Sequence, residues 1–158
     1  MTMVHPATAK VADPALPAVA TLLADPVPGP IKAVVDAAGG VVTDATPTQV
    51  TWWPGTSISV QYRAVIEGGQ MAGVQDLVAV GGRIPKGAAI VGSGDEQVGV
   101  WRVPFDPALP GLAPALDDEQ ARQILVSLGA DDGPARTVLR AYRPGRRAVV
   151  GVAGLVHA

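Results

Sequence analysis

Ile31, Val34, Val35 and Ala38 recur at helical spacing, so one apolar face is predicted for a helix over residues 30–39. Pro30 suits the first helical position, and Gly39 suits the left-handed residue after the last turn. A shorter helix is predicted over residues 17–24, ended by Asp25-Pro26. Residues 41–53 are β-like, a Pro54-Gly55 turn follows, and an alternating strand runs from Ser57 to about Ile66. Further strands are predicted over residues 74–80, 88–92 and 97–103, with turns at Glu67-Gly-Gly-Gln70 and Gly81-Gly82. Meander order and short loops favour an antiparallel sheet.

A proline-rich crossing segment occupies residues 104–114. The helix after it is well signed: Asp117 can cap, Gln120 completes a capping-box pattern, and Gly129 ends it. Ala121, Ile124, Leu125 and Leu128 form one stripe that is expected to face a core. Residues 130–134 read as a loop. Then Thr137-Val-Leu-Arg-Ala-Tyr-Arg-Pro-Gly-Arg-Arg-Ala-Val-Val-Gly-Val152 reads as strand, turn, strand. Its alternation groups Val138, Arg140 and Tyr142 against Leu139, Ala141 and Arg143. Pro144 fixes φ for the second residue of a type I or II turn, and Gly145 supplies the positive φ that type II needs next. Val50-Thr-Trp-Trp-Pro-Gly-Thr-Ser-Ile-Ser-Val-Gln-Tyr62 follows the same plan, with Thr56 and Ser57 where the later hairpin has Arg146 and Arg147. Two such hairpins reflect either a duplication or only the shared chemistry of type II turns; they are too few for a repeat array. The fold class expected is α+β, a small mainly antiparallel sheet with a few short helices.

Composition narrows the chemistry. The 158 residues suit one ordinary domain or a compact pair of subdomains, and 48% are apolar, enough for a core. There is only one phenylalanine, so Trp52, Trp53, Trp101 and Phe105 are expected to matter to packing. The absence of cysteine excludes disulfides and thiolate metal sites. A net charge of −2 argues against a nucleic-acid partner, since the basic cluster is local. His5 and His157 lie at the two ends, which argues against histidine-based catalysis or a zinc site. The start lacks the basic residues of a secretory signal, and no apolar run is long enough to span a bilayer. A soluble, cytoplasmic protein with no membrane partner is the expectation.

Arg143, Arg146 and Arg147 crowd one turn, and like charges so close repel unless an anion or acidic partner sits opposite. Either the turn is merely solvated, or it faces phosphate, whose oxygens match guanidinium forks. Asp95-Glu96, Asp117-Asp118-Glu119 and Asp131-Asp132 sit at turns or a helix start, where capping explains them better than magnesium. Gly81-Gly82-Arg83-Ile-Pro-Lys86-Gly87 lacks Walker spacing. Gly92-Ser93-Gly94 lacks the strand-to-helix setting of a nucleophile elbow. No catalytic and no metal-binding residue is assigned.

The run Val98-Gly-Val-Trp-Arg-Val-Pro-Phe-Asp-Pro-Ala-Leu-Pro-Gly-Leu112, the capped helix, and Leu139-Arg-Ala-Tyr-Arg-Pro-Gly-Arg-Arg-Ala-Val-Val150 together resemble the N-terminal part of actinobacterial phosphotransferases. These belong to the aminoglycoside phosphotransferase group of protein-kinase-like enzymes. The resemblance covers roughly Val41 onward. It implies a bilobal fold with ATP between a β-rich small lobe and a helical large lobe. Residues 139–143 and 148–152 would be the first two strands of a partial small lobe, preceded by an N-terminal extension. Arg143, Gly145, Arg146 and Arg147 would cover the ATP phosphates, through backbone amides and guanidinium groups. On that reading residues 1–40 are a tail with short helices, 41–134 an α+β subdomain, and 135–158 a truncated start of the lobe. ATP with magnesium, and a small-molecule hydroxyl acceptor, are the implied cofactors and partners. The family's phosphate-anchoring lysine strand and catalytic aspartates have no counterpart here, so the chain alone is expected to be inactive. The alternative is a stand-alone, non-catalytic α+β binding or regulatory module.

Overall fold

Ile58, Val60, Tyr62, Ala64 and Ile66 are all buried while the residues between them are not, and this alternation sets the architecture. The computed structural model describes residues 11–130 and 132–154. Both histidines, Asp131 and the first ten positions lie outside those residues. Five strands form an antiparallel sheet: β1 (Val41–Trp53), β2 (Ser57–Glu67), β3 (Gly73–Gly81), β4 (Ala89–Val91) and β5 (Val98–Arg102). Their order is β1-β2-β3-β5-β4. Two helices, α1 (Ala18–Leu22) and α2 (Gly29–Ala37), contribute Val19, Leu22, Ile31 and Val35 to the same core as the buried face of β2. Full burial of side chains of this size stabilises by about 1.5–3 kcal/mol each. Gly81 is required by that packing, because a Cβ on it would fall 2.3 Å from the Cβ of Ala18. The Tyr62 hydroxyl donates to the carbonyl of Leu22, tying the end of α1 to the sheet; burial raises the phenol's pKa.

The chain divides into two compact units, with the boundary between Val103 and Pro104. The expected divisions after residues 40 and 134 fall inside these units. The second unit holds α3 (Leu112–Ala115), α4 (Asp118–Ser127) and the antiparallel pair β6 (Ala135–Arg143) and β7 (Arg147–Gly154). Asp117 caps α4 as its position implies, accepting the Gln120 amide at 2.9 Å. The architecture is α+β, small antiparallel sheets with short helices. No helix among the described residues is long and apolar enough to cross a membrane.

Three expectations need correction. The α4 stripe is not core-facing throughout: Ala121 is buried, but Ile124 is 50% and Leu128 79% exposed. A two-stranded hairpin offers too little surface to cover the whole stripe, and the described contacts between α4 and β6 include Asp118 on Thr137 at the helix start. Of the aromatic residues expected to pack, Trp101 is buried, whereas Trp52, Trp53 and Phe105 are exposed. Finally, β6 carries a bulge. Leu139 pairs with Val150 but Ala141 pairs with Val149, so Tyr142, opposite Ala148, shares the face of Leu139 and not that of Val138.

Candidate functional site: an arginine turn over a buried aspartate

β6 and β7 meet at Arg143-Pro144-Gly145-Arg146-Arg147. Arg143 pairs with Arg147 across the hairpin, and the Arg146 amide donates to the Arg143 carbonyl at 3.0 Å. Gly145 has φ +72°, the left-handed value that the third residue of a type II turn requires and that glycine adopts without strain. The structure therefore brings all four predicted site residues, Arg143, Gly145, Arg146 and Arg147, to one tip.

Under the tip lies Asp106, only 2% exposed. Its Oδ2 accepts from the Gly145 amide at 2.7 Å and from the Tyr142 hydroxyl at 2.7 Å; its Oδ1 accepts from the Ala108 amide at 2.9 Å. A carboxylate this buried requires such donors, and three of them offset its desolvation. Strand alternation puts Tyr142 on the face opposite that of Arg143 and Arg147, and the bulge at Arg140 puts it on the face of Leu139.

The geometry changes what the tip can offer an anion. The Gly145 amide is spent on Asp106 and the Arg146 amide on Arg143, so neither is free to cradle phosphate. The guanidinium groups remain. Arg143, Arg146 and Arg147 are exposed, and among the described residues no carboxylate lies within ion-pair distance of them. Arg122 shows the contrast: it grips Glu119 through two bonds of 2.9 and 2.6 Å and also bonds Asp132. Arg143 and Arg147 stand directly opposite each other on adjacent strands. A like-charged cross-strand pair is destabilising by itself, and an anion between the two would reverse the sign.

The acidic clusters behave as caps and local partners. Asp117 caps α4. The hydroxyl and amide of Thr137 hold the Asp118 carboxyl below its ordinary pKa, and Arg122 does the same for Glu119. Asp95 and Glu96 lie exposed in a short 3-10 turn (Gly94–Glu96). A depression of about 320 Å³ beside the first Pro-Gly turn, bordered by Leu16, Gly55, Thr56, Gly82 and Asp95, offers one ionisable side chain and no acid–base pair. Among the described residues no three acidic or histidine side chains gather where they could hold a metal ion. The three exposed guanidinium groups of the tip could hold a phosphate group, whereas among the described residues no cluster of acidic or histidine side chains offers a magnesium site.

Asp106 escaped the sequence reading. The signal was present as a pentapeptide, Asp-Pro-Ala-Leu-Pro, that begins both at Asp13 and at Asp106. No protein-family model matches the chain, and neither a curated protein nor a solved structure matches it significantly.

Proposed function

We propose that the β6–β7 turn binds the phosphates of ATP, serving as the phosphate-covering turn of a kinase-like phosphotransferase that passes the γ-phosphate to a hydroxyl of a small molecule in the cytoplasm. The observation that carries this reading is the unpaired, cross-strand couple Arg143 and Arg147 with Arg146 beside it, on a turn fixed from beneath. Guanidinium forks would hold phosphate oxygens and neutralise their charge, which is the protein's main contribution to phosphoryl transfer. The role of this chain is binding. None of its residues is assigned as a base or as the lysine that anchors phosphate, and no step is routed through magnesium.

The reading is tested by calorimetry with a non-hydrolysable ATP analogue, on the unsubstituted chain and on Arg146→Ala/Arg147→Ala. Binding that weakens with salt and is lost in the variant is expected. Equal binding by both would sink the assignment. A second reading, a non-catalytic α+β binding module, is favoured by the closed core of the first unit, where Leu22, Ile31, Val35, Val60 and Leu77 are fully buried. Analogue binding that is insensitive to the arginines would favour it.

A further inference from the structure

Pro-Gly turns recur by chance, because type II geometry selects them. A distant pentapeptide whose aspartate meets the same atom of each turn is not explained that way. The two copies of Asp-Pro-Ala-Leu-Pro fold alike. Asp13 accepts the Ala15 amide at 3.0 Å, and Asp106 accepts the Ala108 amide at 2.9 Å. The leucine amide returns to the aspartate carbonyl at 2.9 Å in the first copy and 3.0 Å in the second. The leucine carbonyl then accepts from Val19 at 3.1 Å and from Leu112 at 3.0 Å, starting α1 and α3. A second helix follows in each, then a positive-φ glycine, Gly39 at +81° and Gly129 at +96°. A hairpin comes next.

The carboxylates complete the match. Asp13 Oδ2 accepts from the Gly55 amide at 2.6 Å and from Trp52 Nε1 at 3.2 Å. Asp106 Oδ2 accepts from the Gly145 amide and from the Tyr142 hydroxyl, both at 2.7 Å. In each hairpin the aromatic donor precedes the turn glycine by the same interval, and the turn closes through one amide-to-carbonyl bond, 2.9 Å for Thr56 to Trp53 and 3.0 Å for Arg146 to Arg143. The tip residues diverge: Trp53, Thr56 and Ser57 stand against Arg143, Arg146 and Arg147.

We infer that the chain is a tandem duplication of one module, a helix pair followed by a hairpin whose Pro-Gly turn is clamped by an upstream aspartate, and that Asp106 is the residue that positions the arginine turn for its anion. The duplication and the clamp stand on geometry alone; the role toward an anion rests on the proposed phosphate site. The sign of the effect separates positioning from mere proximity. A negative charge near the tip that only sat there would oppose anion binding, so removing it would strengthen binding. A positioning carboxylate fixes the Gly145 amide and with it the directions of Arg146 and Arg147, so removing it weakens binding.

The experiment uses the full chain and inorganic pyrophosphate. In Asp106→Asn the Gly145 amide proton is expected to lose its hydrogen-bond shift and its protection from exchange, with Gly55 unchanged, and pyrophosphate affinity is expected to fall about tenfold. Asp13→Asn should do the reverse to the two glycines and leave pyrophosphate binding unchanged. In the unsubstituted chain a through-hydrogen-bond coupling between the Gly145 amide nitrogen and the Asp106 carboxyl carbon is expected; this measurement needs no variant to fold. Absence of that coupling, or an unaltered Gly145 amide in Asp106→Asn, overturns the clamp. Loss of the Gly145 bond with equal or tighter pyrophosphate binding overturns the positioning role. If the unsubstituted chain binds no pyrophosphate, the phosphate reading fails, while the coupling still decides the clamp.

Discussion

The two units begin alike and end differently. In the first, the clamped hairpin β1–β2 continues into β3, β5 and β4, and the sheet closes a core with α1 and α2. In the second, the clamped hairpin β6–β7 stands as a two-stranded sheet among the described residues, and its helix α4 leaves Ile124 and Leu128 exposed. An isolated pair of strands is marginally stable in water, and added strands with an apolar face supply what it lacks. The difference teaches that the clamp is a local device for shaping a turn, whereas stability comes from the layers around it. The first copy invests in the core; the second carries charge at its tip.

That contrast can be broken where it is largest, in the core of the first unit. Leu22→Ala, at a fully buried position, should lower unfolding stability by about 2–5 kcal/mol in urea titration. A variant that lost less than about 0.5 kcal/mol would show that α1 is not a structural element of that core. The next effect in size is Asp106→Ala, which removes the carboxylate that accepts from the Ala108 and Gly145 amides and the Tyr142 hydroxyl and should cost about 2 kcal/mol or more. Asp13→Ala removes the same bonds at a more exposed site, so its effect should be distinctly smaller. Equal losses would erase the distinction between the copies.

Transfer of the tip sharpens the comparison. If the clamps are equivalent, Trp53→Arg/Thr56→Arg/Ser57→Arg should create a second pyrophosphate site, read as a doubled stoichiometry in calorimetry. A chain that still binds a single equivalent would mean that the first hairpin does not present its tip as the second does.

The smallest predicted effect concerns pH. Asp13 is held below its ordinary pKa of 3.8 mainly by the Gly55 amide, and Asp118 mainly by the Thr137 hydroxyl. A depressed folded-state pKa contributes stability that is present above 3.8 and is lost as pH falls toward the folded value, because the unfolded chain then binds more protons. Urea midpoints should therefore fall as the solution is acidified through that window. Asp118→Asn should flatten part of the slope. A midpoint that rises on acidification would contradict the assignment.

Much of the fold was legible because local rules agreed with one another. Residues 41–53 are β-like and end at Pro54-Gly55, and β1 has those bounds. Pro30 and Gly39 bracketed α2, and Asp117 capped α4 as its spacing with Gln120 implied. The misses were tertiary. The stripe of α4 is amphipathic whether or not a second layer covers it, so periodicity could not reveal that Leu128 faces solvent. The bulge at Arg140 moves Tyr142 to the other face, and nothing in a strand pattern announces a one-residue insertion. At the site, the arginine tip was visible from charge and turn chemistry. The claim on its backbone amides was incomplete, because Asp106 lies far from Gly145 in sequence and reads locally as the start of a proline-rich loop. Only comparing the chain with itself exposes it.

The most direct measurement follows the arginine Nε–Hε resonances by NMR while pyrophosphate is added. The account predicts that those of Arg143, Arg146 and Arg147 move together and saturate at one concentration, while those of Arg63 and Arg122, already beside carboxylates, stay in place. Uniform small shifts over all arginines, or none at the tip, would contradict it.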